Sequence, residues 1–286
     1  MLDDLSVVVP TLGRPVLEQC LDSIATGSRW PARLVLVDQG SNPDVAIWVR
    51  RLRARGLAVD HAQFPRRGVA AARNRGVERV PTPLFAVNDD DQCVAADWLE
   101  RMHAHLRACS EGVITGRVDP AAPGVPSSIS SMVPVVHTRP LFHRDPLFAG
   151  NMGLSVATMG RIGHFDEAAS LNGAEDNDWG YRALRLGVPI LYAPDVAVTH
   201  LDWRDAHELD ATYRRYARAQ GGFYGKHLRH RDLYIAGRAL RDVIRGPWLV
   251  VRAAVTDNPE LAVVGRAEVR GILPGIVAGY RHARQP

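Results

Sequence analysis

Three consecutive aspartates, Asp89, Asp90 and Asp91, form the run with the clearest chemistry in this sequence of 286 residues. They directly follow the strand-like segment 83–88, so we expect the carboxylates at the end of a buried strand. Like charges this close repel one another unless water or a cation neutralises them. Carboxylate oxygens are ligands that Mg²⁺ and Mn²⁺ prefer. The run therefore predicts a divalent-cation site, although a solvated acidic turn would have the same sequence.

The elements that would hold this run alternate between two hydrophobic periodicities. The strand-like runs are residues 6–10, 33–38, 57–60 and 83–88, and the helical patterns are residues 16–26, 45–52, 68–80 and 98–108. Four repeats of strand and helix predict an α/β fold with an open, mostly parallel sheet flanked by helices. Ligands of such sheets bind beyond the carboxyl ends of the strands. Thr11, Arg14 and Asp38, which follow two of these strands, are therefore expected near the aspartates.

The later sequence is less regular. Residues 119–146 are rich in Pro and Ser and predict a long irregular connection. We expect a strand at 148–156, a helix at 175–187 and, over 189–200, a pair of strands interrupted by Pro194. The predicted domains are residues 1–201 and a helical extension over residues 202–286.

Composition excludes several classes of protein. The net charge is +4, and residues 1–200 carry −2, which argues against nucleic-acid binding. Three cysteines without CxxC spacing favour neither a disulfide framework nor a zinc site. Acidic residues before the first strand are atypical of a signal peptide, and no apolar run approaches the roughly 18 residues of a membrane span. We expect a cytoplasmic protein.

The extension is basic, because residues 211–256 carry ten Arg or Lys against Asp232 and Asp242. Basic amphipathic helices with aromatic residues bind anionic membrane surfaces, here the inner face of the plasma membrane. A helical appendage packed on the core, or a homodimer interface, would account equally for the pattern. The sequence leaves these alternatives open.

Six segments in order make the sequence resemble the family 2 glycosyltransferases, which have the GT-A fold. They are residues 8–11, 37–41, 68–76, 89–91 with 97–99, 163–167 and 175–182. The resemblance covers roughly residues 5–201. It implies a nucleotide-sugar half, 1–118, and an acceptor half, 119–201. The activity it implies is metal-dependent, inverting transfer of a hexosyl-type sugar from a nucleotide-sugar, favoured to be a UDP-sugar. The acceptor would be the hydroxyl of a glycan, a lipid-linked or a small molecule, and the cofactor Mn²⁺ or Mg²⁺.

The resemblance also assigns roles on the donor side. Asp38 would accept a hydrogen bond from the nucleobase, and the backbone at Pro10 and Thr11 would line the base and ribose. An Asx turn or a helix cap at Asp38 is the alternative. Asp89 is assigned to the ribose and Asp91 to the metal. Because all three positions are Asp, which carboxylate binds the ion directly stays open.

Two further donor-side contacts are basic, and a third residue belongs to the triplet. Arg73 lies in a helix predicted to begin at Gly68, whose N-terminal dipole favours an anion, and is the preferred phosphate or base contact. Arg14, after the first strand, and Asp90 complete the predicted nucleotide-sugar site.

On the acceptor side, the resemblance makes Asp176 the general base, with Glu175 beside it either an acceptor contact or a helix cap. His200 ends the last predicted strand and is expected near the metal or diphosphate, a plain polar strand terminus being the alternative. Asn151 and Trp179 are expected to line the acceptor site, although Trp179 would equally suit the core.

Two rival functions remain at this point. A sugar-nucleotide nucleotidyltransferase would be expected to carry a Gly-rich loop and a Lys after the first strand, where this chain has Thr11-Leu12-Gly13-Arg14. A noncatalytic module that kept the nucleotide or sugar crevice would look the same in sequence. Metal-dependent release of UDP from a UDP-sugar separates the enzyme from both.

Overall fold

The computed structural model describes residues 1–66, 68–121, 130–201 and 209–282, and the chain divides into two compact units. The first unit comprises Met1–Pro140, Asp145–Phe165 and Trp179–Trp203, and the second comprises Leu141–Arg144, Asp166–Asp178 and Arg204–Pro286. The second unit thus includes residues 166–178, which the sequence placed in the domain 1–201. Arg67, an arginine directly before the predicted helix start at Gly68, lies outside the described residues.

The described residues of the first unit form nine strands. They are β1 (Leu2–Thr11), β2 (Pro31–Asp38), β3 (Val59–Gln63), β4 (Leu84–Asn88), β5 (Gln92–Val94), β6 (Val113–Pro120), β7 (Val135–His137), β8 (Asn151–Ser155) and β9 (Ile190–His200). The helices described in the whole chain are α1 (Leu17–Ala25), α2 (Asp44–Ala54), α3 (Val69–Val77), α4 (Trp98–Ala108), α5 (Val156–Ile162), α6 (Glu175–Arg185), α7 (Leu209–Arg229), α8 (Leu233–Thr256) and α9 (Pro259–His282). The α/β class predicted from the sequence is confirmed.

The sheet has a parallel half and a mixed half. Its order is β3-β2-β1-β4-β8-β6-β9-β5, with β7 paired to β9. Strands β1 to β4 are parallel to one another, as the repeating strand–helix pattern predicted. Strand β8 runs antiparallel to β4 and to β6, whereas β6 and β9 are parallel.

Three features of the mixed half differ from the sequence prediction. Residues 189–200 form one strand, β9, because the pairing with β6 skips residues 194–196 and so accommodates Pro194 in an irregularity. Strand β6 was not predicted, since its polar positions Thr115 and Arg117 interrupt the apolar run. The short strands β5 and β7 have three residues each and carry too little periodicity to be recognised.

Two hydrophobic clusters cover the two faces of the sheet. Alternate residues of β1 divide between them: Leu5, Val7 and Val9 belong to the cluster with α1, α2 and α4, and Val8 to the cluster with α3 and α5. Side chains in a strand alternate between faces. Both faces of β1 are therefore buried, as parallel sheets require.

In the second unit, α7 and α9 pack with their backbones in contact. A Cβ atom on Gly221 would lie 2.2 Å from the carbonyl oxygen of Ile272, and one on Gly275 would lie 2.0 Å from that of Arg218. Only glycine permits such an approach. Among the described residues, no helix is both long and apolar enough to span a lipid bilayer.

Candidate functional site

The carboxyl ends of β1, β2 and β4 bring the predicted donor-side residues to one edge of the sheet. Thr11 and Asp38 are Cα partners at the ends of β1 and β2. Strand β4 pairs with the other side of β1 and ends at Asn88, directly before the three aspartates. Pro10, one residue before Thr11, is buried beside Val37.

Asp90 is the central carboxylate of the triplet and is only 4% exposed. It is paired with Arg14 and accepts a hydrogen bond from the Thr11 hydroxyl at 2.7 Å. Burial raises the pKa of Asp90, and the charge of Arg14 opposes that rise. The guanidinium of Arg14 also lies 3.4 Å from Asp91 Oδ2. Arg14 therefore balances charge on two of the three carboxylates.

Asp89 has a different cationic partner. Arg73 Nη2 donates to Asp89 Oδ1 at 2.9 Å and to Oδ2 at 3.1 Å. Arg73 is 3% exposed, and its guanidinium lies 5.7 Å from the centroid of the Phe165 ring. Arg73, which the sequence predicts to contact a phosphate or base, is thus paired with Asp89, the carboxylate that the resemblance assigns to the ribose.

Asp38, 1% exposed, has both carboxylate oxygens engaged. Oδ1 accepts the backbone N–H of Gly40 at 2.8 Å, which is the Asx turn considered as the alternative. Oδ2 accepts from Gln63 Nε2 at 2.6 Å and lies 3.1 Å from His61 Nε2. Sequence reasoning missed His61 and Gln63, although both occupy alternate positions at the end of β3 and so point to one face.

Asp91 and His200 come together as the predicted metal ligands. His200 Nε2 lies 3.8 Å from Asp91 Oδ1, and His200 is paired with Gln92 across β9 and β5. His200 Nδ1 and both amide atoms of Gln92 are buried and have no hydrogen-bond partner within the described part of the chain. Buried polar atoms in this state indicate a missing partner such as water or an ion.

These residues fit a divalent cation of the Mg²⁺ type. No group of three or more His, Cys, Asp or Glu side chains among the described residues has the arrangement of a complete metal site. Such ions are held in nucleotide enzymes by one or two protein ligands, and substrate phosphates and water supply the rest. Asp91 and His200 are the described side chains that would hold such an ion.

Two residues expected at the acceptor site are buried in the first unit, which for Trp179 is the core position considered as the alternative. Asn151 is fully buried, donates to the carbonyls of Arg117 and Val196 at 3.1 and 3.0 Å, and accepts from the Trp98 indole at 2.9 Å. Trp179 is fully buried, and its indole donates to the Gly163 carbonyl at 2.7 Å. Their polar atoms are satisfied inside the fold, which leaves none for a substrate.

The predicted base lies at the start of α6, in residues that belong to the second unit. Asp176 is half-buried, and its Oδ1 accepts the backbone N–H of Asn177 at 2.9 Å. Glu175 is 5% exposed and accepts the backbone N–H of Gly173 at 2.8 Å. Glu175 thus stabilises the turn before the helix, in line with the structural role considered as the alternative to an acceptor contact.

A buried charge cluster in the second unit fixes this helix start, and sequence reasoning missed it. Asp178 is fully buried and accepts from Lys226 Nζ at 2.9 Å, with His227 Nε2 2.7 Å away. Lys226 also contacts Asp166 at 2.8 Å. The sequence feature that could have indicated this cluster is Lys226, the one lysine among 35 basic residues.

Comparison with known proteins identifies a family whose sequence model matches more than half of this chain. The model of the family described as glycosyl transferase family 2 matches residues 6–164. No curated protein matches the chain in sequence.

Solved structures share the fold. The crystal structure of GalNAc-T7 with UDP, GalNAc and Mn²⁺ is 16% identical with a TM-score of 0.60, and the match covers 79% of this chain and 50% of that one. TarS 1–349 from S. aureus with UDP-GlcNAc is 16% identical with a TM-score of 0.58, covering 98% and 92%. Mannosyltransferase PcManGT from Pyrobaculum calidifontis, with GDP-Man and Mn²⁺, is 16% identical with a TM-score of 0.59, covering 98% and 86%. The chain spans about half the length of GalNAc-T7 and of full TarS.

Proposed function

The chain belongs to glycosyl transferase family 2, and from this membership we propose that it transfers a hexosyl-type sugar from a UDP-sugar to an acceptor hydroxyl with inversion at the anomeric carbon. The observation that carries the proposal is the convergence of Asp91 and His200, 3.8 Å apart, at the sheet edge where Asp38 ends β2. Solved structures with this fold contain UDP or GDP-Man, two of them with Mn²⁺, which supports a nucleotide-sugar donor.

On the donor side, Asp38 accepts from the nucleobase, and the backbone at Pro10 and Thr11 lines the ribose. Asp91 and His200 would hold Mn²⁺ or Mg²⁺, which when bound neutralises the charge that builds on the leaving diphosphate. Arg14 and Arg73 keep the carboxylates of the triplet neutralised. Their guanidinium groups therefore reduce the repulsion between this acidic run and an approaching diphosphate.

On the acceptor side, Asp176 takes the proton of the acceptor hydroxyl as its oxygen attacks the anomeric carbon. The bond between that carbon and the diphosphate oxygen breaks, the electron pair leaves with UDP, and attack from the opposite face inverts the configuration. The start of a helix favours an ionised carboxylate through its dipole. The acceptor is a glycan, a lipid-linked or a small-molecule hydroxyl.

The test measures UDP or GDP release from a panel of nucleotide-sugars with Mn²⁺, with Mg²⁺ and after chelation. We expect release from at least one UDP-sugar in the presence of the cation and its loss on chelation. Asp91→Asn should abolish the cation-dependent part.

Asp97→Asn is the matched control, because this carboxylate is 48% exposed and pairs with Arg101 on the surface. It should leave release unchanged. Binding of UDP without release from any donor would instead identify a noncatalytic module, and undiminished release by Asp91→Asn would remove Asp91 from the metal site.

A further inference from the structure

One side of α8 is an exposed apolar stripe that runs the length of the helix. Its large side chains are 52–85% exposed and are Leu233, Leu240, Ile244, Trp248, Val251 and Val255. Their spacings of three, four and seven residues place them on one face. Together with α9 this region carries ten of the 21 large apolar side chains that are exposed in the described part of the chain.

The opposite side of α8 is buried in the second unit. It includes the apolar residues Ile235, Ala239, Leu249 and Ala253, each at most 7% exposed, together with the charged Arg238 and Asp242. A large exposed apolar patch on the other side of such a helix marks an interaction surface. The inner face of α8 already packs against the second unit. The outer apolar stripe would therefore be removed from water only by binding to a surface outside this unit.

Helix α9 adds apolar and positively charged surface. Val269 packs against α8, where a Cβ on Gly246 would lie 3.2 Å from its Cγ2, and it is 47% exposed. Leu273, Val277 and Tyr280 are 40–55% exposed, and the exposed Arg266 and Arg270 alternate with them. Exposed apolar surface thus continues from α8 onto α9.

Positive charge dominates the exposed surface of these helices, although Glu260 at the start of α9 is also exposed. The acidic residues within α8 and over residues 261–282 of α9 are Asp242 and Glu268, and both are buried at 4% and 8% exposure. Arg252 is exposed beside the stripe, with its guanidinium 5.1 Å from the centroid of the Trp248 ring. An aromatic side chain next to an arginine is typical of the boundary between acyl chains and lipid headgroups.

We propose that this α8–α9 face, the stripe on α8 with the exposed apolar and arginine side chains of α9, docks on the surface of a lipid bilayer that carries anionic headgroups. The apolar side chains enter the acyl boundary, and Arg252, Arg266 and Arg270 contact lipid phosphates. A second copy of the chain fits this face less well, because a two-fold interface brings the same patch of both copies together. The arginine rows would then repel one another. The inference stands independently of the proposed reaction.

The test is flotation of the full chain with vesicles of phosphatidylcholine alone and with vesicles of equal parts phosphatidylcholine and phosphatidylglycerol. We expect binding to the anionic vesicles, weakened by salt, and little binding to the neutral ones. Brominated acyl chains should quench tryptophan fluorescence in the bound protein, and Trp248→Phe should remove that quenching. Loss of the quench identifies the stripe as the inserted surface.

Paired variants separate the two contributions. Arg266→Gln with Arg270→Gln should lower the partition coefficient about 25-fold, about fivefold for each arginine. Leu240→Gln with Ile244→Gln should lower it about tenfold or more. Ile47→Gln with Arg50→Gln, two exposed positions on α2 of the first unit, is the matched control and should change nothing. Circular dichroism of every variant checks that it is folded.

Three results would overturn the proposal. The first is equal flotation with neutral and anionic vesicles, and the second is unchanged flotation of the Leu240→Gln and Ile244→Gln variant. The third combines two observations on the unmodified protein: it forms a dimer in sedimentation equilibrium, and it does not bind vesicles. The Leu240→Gln and Ile244→Gln variant would then be a monomer. That last result would assign the stripe to a second copy.

Discussion

Individual basic residues offset the electrostatic repulsion within the aspartate triplet. Asp89 and Asp90 each have an arginine partner, Arg73 and Arg14, and Asp91 has the longer contacts, 3.4 Å to Arg14 and 3.8 Å to His200. A divalent ion gains most where a carboxylate is least neutralised by protein cations. Which carboxylate binds the ion directly stays a prediction, and the resemblance assigns this role to Asp91.

Asp176→Asn tests the proposed base. The amide cannot accept the proton of the acceptor hydroxyl, so the rate of transfer should fall on the order of 10²- to 10⁴-fold, while affinity for UDP stays unchanged. Steady-state transfer and calorimetric UDP binding measure the two quantities. Asp210→Asn, an exposed pair with Arg214, should match the unmodified enzyme. Retention of most of the activity by Asp176→Asn would remove this residue from catalysis.

Lys226→Met tests the buried cluster at the start of α6. Asp178 is fully buried, and the variant removes the permanent cation of this buried pair while His227 stays 2.7 Å from Asp178. We expect a loss of about 3 kcal/mol in the free energy of unfolding, measured by thermal denaturation. Arg229→Met, at an exposed position of α7, should change stability little. Equal stability of both variants would mean that His227 alone satisfies Asp178.

At the scale of elements, glycine spacing explains how α7 and α9 approach. Gly221 and Gly225 in α7, and Gly275 and Gly279 in α9, each face a backbone carbonyl at a distance where a Cβ atom would lie only 2.0–2.2 Å from oxygen. Glycine lowers helix propensity by up to about 1 kcal/mol per residue. Close backbone packing between the two helices offsets that cost.

Gly275→Ala should therefore destabilise the second unit. The added methyl meets the carbonyl oxygen of Arg218, which is backbone and has little freedom to move, so we expect a loss of about 3 kcal/mol or more. Gly160→Ala is the control, because a Cβ there has no neighbour within 4 Å and α5 should gain stability. Thermal melts of both variants decide the matter, and a Gly275→Ala protein as stable as the original would contradict the packing described.

At the scale of the whole molecule, the chain consists of two units with different character. The first contains the sheet and the donor-side residues, and the second contains the three C-terminal helices and Asp176. The net charge of +4 combines −2 over residues 1–200 with +6 over residues 201–286. The positive surface thus belongs to the helices.

Separate cores predict separate unfolding. Calorimetry should resolve two transitions, because the two units need not unfold cooperatively. Binding of UDP with Mn²⁺ should raise the transition temperature of the first unit. The free energy of unfolding of that unit should increase by about 2.7 kcal/mol at a ligand concentration of 100 Kd. Gly275→Ala should lower the other transition alone. A single transition that responds to both changes would show that the chain unfolds as one cooperative body.

Much of the first unit was predictable because its signals are local. The strands β1, β2 and β4 each contain a buried apolar run, and α2 shows its apolar residues at helical spacing, so periodicity alone predicts these elements. Strand β3 is mostly half-buried and lies at Val59–Gln63, two to three residues beyond the predicted 57–60. The aspartate triplet and Asp38 were found because polar residues at strand ends follow from the same pattern. The second half of the sheet was less predictable, because β6 pairs with β8 and β9 through contacts far apart in sequence.

The sequence by itself determined the α/β class, the first four strands and the edge of the sheet where the carboxylates gather, since each depends on hydrophobic period and chain order. The tertiary structure decided which side chains meet there. It paired Arg73 with Asp89 and Arg14 with Asp90, and it buried Asn151 and Trp179 in the core. The physical reason is that a side chain's partner depends on sheet order and register, which no local pattern encodes.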